Sequence, residues 1–198
     1  MKVKLSQGKV EWFNQKEFNK NTYLQMASSR RIATQRITGV DERLRIVATI
    51  IEPKSYFADS TNSISLSENS KYSLEYILAI MNSSLMQWRF KVTSTNNNVG
   101  TNELSSLPFR AIDFLNIEER NIFQTIHNLV KQLEDSYRTL IGMDLNSTHE
   151  YLTRKVEMLH ENIDEHVFEL YGITKHEKEI IVRKVSKERG KTKMSFSI

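Results

Sequence analysis

The chain has no cysteine, only two prolines, and six glycines among 198 residues. Without cysteine there is neither a disulfide nor a thiolate metal site, as expected of a chain kept in a reducing compartment. The glycines are scattered, the closest two, Gly172 and Gly190, lying 18 residues apart. No glycine-rich turn for a dinucleotide or a phosphate can therefore be written, and a Gly-x-Ser-x-Gly elbow is absent as well. No apolar run approaches the length of a membrane span, and the opening MKVKLSQGKVEW has no signal-peptide core. These absences point to a cytoplasmic chain that contacts no membrane, holds no cofactor and has no catalytic activity of its own. The five histidines all lie at or beyond His127. His160 and His166, six residues apart, would point roughly 240° apart around a helix, so they cannot share a metal ion and read as surface residues.

What is present is charge, unevenly placed. Residues 1–112 carry 15 Lys+Arg against 9 Asp+Glu, whereas residues 113–198 carry 13 against 15. A polyanionic partner is expected at the first part. The texture changes at the same place, so residues 1–112 are read as one domain and 113–198 as a helical assembly region with a basic tail. The expected fold class is α+β: a small curved mixed sheet packed by helices, then an antiparallel helical hairpin and a third short helix.

Periodicity supports this order. Two strand-like runs, RRIATQRIT and ERLRIVATII, flank a turn at Gly39, Val40 and Asp41. In the second, alternation places Leu44, Ile46, Ala48 and Ile50 on a core face and Arg43, Arg45, Val47 and Thr49 on the other. The stretch SYFADSTNSISL offers two short strands, and YSLEYILAIMNSSLMQWRFKV repeats Leu74, Ile77, Leu78, Met81, Leu85 and Trp88 at helical spacing. TSTNNNVGTN reads as a polar loop and ELSSLPFRAI as an extended segment with Pro108 at an edge. Beyond 113, Ile122, Ile126, Leu129, Leu133 and Leu140 form one heptad-like stripe. Leu152, Val156, Leu159, Ile163, Val167 and Leu170 form another, suited to a coiled-coil-like hairpin or to self-association through 113–170. Ser147 with Glu150, and Thr174 with Glu177, have the spacing of capping boxes.

Five arginines fall between positions 30 and 45. Guanidinium groups suit phosphate or the guanine edge, and carboxamides pair with adenine. The candidate DNA-binding residues are Arg30, Arg31, Gln35, Arg36, Arg43, Arg45, Lys54 and Lys71, with Asn96, Asn97 and Asn98 of the polar loop. A weaker reading takes Asp41 with Glu52, Pro53 and Lys54 as the Asp…Glu-x-Lys pattern of metal-dependent nucleases. It is disfavoured because Asp41 sits in the turn itself and Pro53 should end the strand carrying Glu52.

The order of segments resembles the TaqI-like C-terminal specificity domain of bacterial adenine-specific DNA methyltransferases. The features that carry the resemblance are Gln35-Arg36 in a strand pair, Tyr56 through Ser63, the helix with Ile77 through Ser84, and Leu107-Pro108, within residues 28–182. The stretch IDEHVFELYGITKHEKEIIV is similar to the segment that often closes such restriction-modification enzymes. The resemblance implies a target recognition domain that grips duplex DNA while a methyltransferase catalytic domain, in cis or in trans, transfers the methyl group. That family's Asn-Pro-Pro-Tyr signature is missing here, as is its cofactor loop. The resemblance fits either the C-terminal part of a modification enzyme, including type IIG enzymes, or a specificity polypeptide like half of a type I specificity subunit. The alternative from another class is a protein interaction module that works through the helical hairpin.

Overall fold

The computed structural model describes residues 2–4, 10–12, 27–37, 44–57, 60–94, 98–141, 143 and 147–189, the side chains only between 27 and 185. In chain order the elements are β1 (Lys2–Lys4), β2 (Val10–Trp12), β3 (Arg31–Gln35), β4 (Ala48–Ile51) and β5 (Thr61–Ile64). Six helices follow among the described residues: α1 (Leu74–Asn82), α2 (Ser84–Thr93), α3 (Thr101–Ser105), α4 (Ile117–Leu140), α5 (Ser147–Leu170) and α6 (Lys175–Arg189). This is the expected α+β class. Among the described residues the pairings are antiparallel, however, rather than mixed: β1 with β2, and a three-stranded sheet in the order β4-β3-β5. β3 and β4 are the anticipated hairpin strands, with Arg31 opposite Ile51 and Thr34 opposite Ala48.

One sheet face carries Ile32, Thr34, Ala48 and Asn62, all buried. Against it lies α1, apolar around most of its circumference, with Tyr76, Ile80 and Met81 fully buried. A helix that is buried on several sides needs neighbours on several sides. β4 and β3 supply one, α4 another, and α2 and α5 the rest.

The single long helix expected over 72–92 is instead two. Ser83 adopts an extended ψ of 152°, its N–H bonds the Ile80 carbonyl, and its hydroxyl caps α2 by accepting from Met86 N–H. Serine does this because its short hydroxyl competes well with backbone groups at a helix start. The segment expected to be extended after Gly100 begins instead with α3, and of the two strands expected in SYFADSTNSISL only β5 is found among the described residues.

The LPFR stretch is then held by tyrosine hydroxyls. Tyr171 Oη donates to Pro108 O (2.6 Å) and accepts from Arg110 N–H (3.0 Å), Tyr76 Oη donates to Arg110 O (2.8 Å), and Tyr72 Oη accepts from Ile112 N–H (3.0 Å). Each such bond contributes about 0.5–1.5 kcal/mol net. Tyr72, Tyr76, Phe114 and Phe123 pack against one another at centroid separations of 5.0–6.3 Å, mostly edge to face.

α4 and α5 form the expected antiparallel hairpin, but their stripes do not serve each other alone. Ile126, Val130, Ile163, Val167, Phe168 and Leu170 join the same cluster as α1 and α2, and Ile181 and Val185 of α6 complete it. Gly172, at φ +64°, turns the chain between α5 and α6, where Ile173 N–H reaches Phe168 O (2.9 Å). That left-handed position favours glycine. The expected box at α6 is present, Glu177 accepting from Thr174 N–H (2.8 Å) and Oγ1–H (2.6 Å). Among the described residues no helix is long and apolar enough to cross a membrane.

Candidate nucleic-acid interface

The core face of the sheet is fully used, so any ligand must meet the other face or the sheet ends. Register decides which side chains stand there, because directly opposed residues of paired strands share a face. Thr49, Ala33 and Ser63 form one row across β4, β3 and β5. Beyond Ala48 the hairpin continues, with Gln35 N–H donating to Val47 O (3.1 Å), and Gln35 is also opposite Thr61. Val47, Gln35 and Thr61 therefore make the next row. Past it Ile37 pairs with Asn98 in an isolated bridge, supported by Val99 N–H to Arg36 O (2.8 Å) and Arg36 N–H to Ser60 O (2.9 Å). Asn98 is thus brought beside β3, whereas Asn96, Asn97 and Arg43 lie outside the described residues.

Two carboxamides hold this end of the sheet. Asn82, the last residue of α1, accepts from Ala48 N–H (3.2 Å) and donates to Ala48 O (2.9 Å). Gln87 of α2 accepts from Arg45 N–H (2.9 Å) and Ile46 N–H (3.1 Å) and donates to Ile46 O (2.6 Å). The helices thereby act as a further strand beside residues 45–48, satisfying backbone groups that burial would otherwise leave unpaired. Ser84 meanwhile offers its N–H and hydroxyl to Asp164 of α5 (2.8 and 2.5 Å), tying the helical hairpin to the start of α2. This explains the Asn82-Ser83-Ser84 sequence as three separate structural contacts. Sequence reasoning missed the clamps; the signal available was the polar Asn82 and Gln87 interrupting a helical pattern.

The eleven candidate residues divide sharply. Gln35, Arg36 and Asn98 are exposed together at the hairpin end. Arg45 departs from the expected solvent face: only 9% exposed, it lies with its Cζ 5.5 Å from the centre of the Phe90 ring. The reason is that β4 starts at Ala48, so the alternation assumed from Arg43 onward does not yet apply. Arg31 is also buried, reaching the carbonyls of Ser55 and Ser29 and lying 5.3 Å over Phe57. Burial pulls its pKa below the ordinary arginine value, with Tyr56 opposing.

Arg30 joins a carboxylate cluster, 3.0 Å from Glu75, 3.4 Å from Glu52 and 3.6 Å from Glu134. Burial alone would lower its pKa, but these carboxylates hold it above the usual value. Glu75 is likewise shifted down, its burial outweighed by its own backbone N–H, Arg30 and His127. His127 is half-buried, 3.0 Å from Ser73 Oγ. Lys54 and Lys71 are exposed, but each lies near the opposite end of the sheet, Lys54 N–H bonding Ala27 O and Lys71 preceding the cap of α1. One end of β3 is roughly 13 Å from the other. Glu52 pairs with Arg30 and Arg138 (3.6 Å), Asp41 lies outside the described residues, and no group of three metal-ligating side chains occurs among the described residues.

A family model described as the TaqI-like C-terminal specificity domain matches residues 3–109. The match takes in both sheets and the helices α1 to α3, and ends at Phe109, near the boundary expected at 112; it starts earlier and stops earlier than the resemblance over 28–182. No curated protein and no solved structure matches the chain.

Proposed function

The chain belongs to the TaqI-like C-terminal specificity domain family, and from that premise we propose that it recognises duplex DNA sequence-specifically as the target recognition module of a restriction-modification adenine methyltransferase, without catalysing methyl transfer itself. The observation that carries the reading is the end of β3, where Gln35, Arg36 and Asn98 are exposed and Ile37 is bridged to Asn98. A two-stranded ribbon fits the major groove of B-DNA. Arg36 is assigned a phosphate contact and Gln35 and Asn98 contacts to base edges; Arg43, Asn96 and Asn97 remain candidates from the sequence alone. Arg30, Arg31 and Arg45 are assigned to stability, since their guanidinium groups already face carboxylates, carbonyls and aromatic rings. Phosphate contacts position the protein, and base contacts specify the sequence.

Residues 113–198 are assigned to support and assembly. The outer surfaces of α4 and α5, where Ile141 and Tyr151 are exposed, would meet the methyltransferase catalytic domain or a second copy. The test is titration of the chain on a selected duplex and on its scrambled counterpart. Arg36→Ala should weaken both and lower the slope of log affinity against log salt by about one, whereas Gln35→Ala should cost ~1–3 kcal/mol on the selected duplex alone. Unchanged affinities and slope in both variants would refute the assignment of this end of the hairpin. Calorimetric binding of S-adenosylmethionine to the isolated chain would refute its lack of catalytic machinery.

A further inference from the structure

The rows that carry the two carboxamides also carry two exposed aliphatic side chains. Val47, opposite Gln35, is 44% exposed, and Ile37, paired with Asn98, is 57% exposed. A lone apolar side chain on a surface needs no explanation. Here each β-branched aliphatic stands directly across the ladder from a carboxamide, with Cβ atoms about 4.5–5.5 Å apart as opposed residues are. Thr61 is the third member of the Val47–Gln35 row, and among the described residues of the two rows there is no carboxylate that would repel DNA. The surrounding domain is cationic, 15 Lys+Arg against 9 Asp+Glu over residues 1–112.

A carboxamide beside an aliphatic group matches one kind of base pair. In the major groove adenine offers N7 and N6–H₂, which Asn or Gln can engage in two-pronged fashion, and its partner thymine offers a C5 methyl. A G·C pair presents two acceptors on guanine, an amine on cytosine and no methyl. We propose, resting on the DNA-recognition reading above, that the Val47–Gln35 and Ile37–Asn98 pairs read A·T pairs from the major groove, the aliphatics sensing the C5 methyl of the pyrimidine. Burying one methyl group gives about a fourfold gain in affinity.

The experiment uses the full chain and two pools of random duplexes of equal length, one containing thymine and one containing uracil in its place, competing for limiting protein at low salt. The thymine pool should be retained preferentially, by roughly fourfold for each methyl contacted. A third pool, with 5-methylcytosine for cytosine in the uracil background, should recover part of the preference. The Ile37→Ala, Val47→Ala double variant changes only exposed side chains, and circular dichroism checks that it folds. It should lose the thymine preference. Equal retention of thymine and uracil pools would overturn this inference and leave DNA recognition standing. A preference that survives in the double variant would overturn the assignment to Ile37 and Val47. Retention of neither pool would instead overturn the underlying DNA-binding reading.

Discussion

Replacing Gln87 with leucine removes the carboxamide that completes the backbone pairing of Arg45 and Ile46. The side chain is 1% exposed, so water cannot take its place. The variant leaves two N–H groups and one carbonyl buried without their partner, at about 1–3 kcal/mol for each such group. Leucine has nearly the same volume, so no cavity is added. Allowing for partial relaxation, the loss should be about 3 kcal/mol, a fall in Tm of roughly 6–12 °C for a chain of this size. Urea unfolding monitored by circular dichroism reads it directly. Duplex affinity should fall as well, even where the variant is folded, because Val47 and Gln35 are positioned by the segment that Gln87 holds. Gln87→Glu gives a diagnostic pH dependence. Its carboxylate could still accept from the two N–H groups, but only the protonated acid can donate to Ile46 O, so its pKa should be raised in the fold. Its stability relative to the parent should be greatest at acidic pH and decline as pH rises through that raised value. A Gln87→Leu protein within about 0.5 kcal/mol of the parent would show that the amide clamp is not a stabilising element.

Asp164→Ala should cost about 1–2 kcal/mol by urea denaturation, since it removes an anionic cap from α2 and the tie between α5 and α2. Arg30→Met should destabilise by about 2 kcal/mol, less than for a fully buried pair because the guanidinium is partly exposed. Glu75, whose folded pKa is depressed, contributes stability that is present above its ordinary value of 4.5 and lost as pH falls through the folded value. Glu75→Gln should therefore flatten the acid limb of a stability-pH profile below about pH 4.5, and an unaltered limb would count against the ion cluster. Leu159→Asp buries a charge between α4 and α5 and should unfold the helical region; a variant with parental helicity and an unchanged mass by light scattering would contradict the packing described.

Local pattern alone was enough for much of the architecture. A stripe from Ile122 to Leu133 can bury itself only as a helix, and the mirrored stripe from Val156 to Leu170 joined by a short link leaves little choice but an antiparallel hairpin. Thr174 and Glu177 mark the start of α6 because a capping box needs only four consecutive residues. The β3–β4 hairpin and the family were likewise legible, the family through the order of its segments. Tertiary structure decided what each polar side chain does. Arg30, Arg31, Arg36 and Arg45 look equivalent in the sequence, yet one meets carboxylates just past β4 and on α1 and α4, one meets carbonyls and Phe57, one is exposed, and one lies over Phe90. Those partners are up to 104 positions away, as with Glu134 for Arg30. The same holds for Asn82 and Gln87, which read as polar interruptions of a helix and became the clamps on residues 45–48. Periodicity records how a residue relates to its chain neighbours, whereas the burial and partner of a polar group depend on which distant backbone atoms the packed helices bring within 3 Å or so.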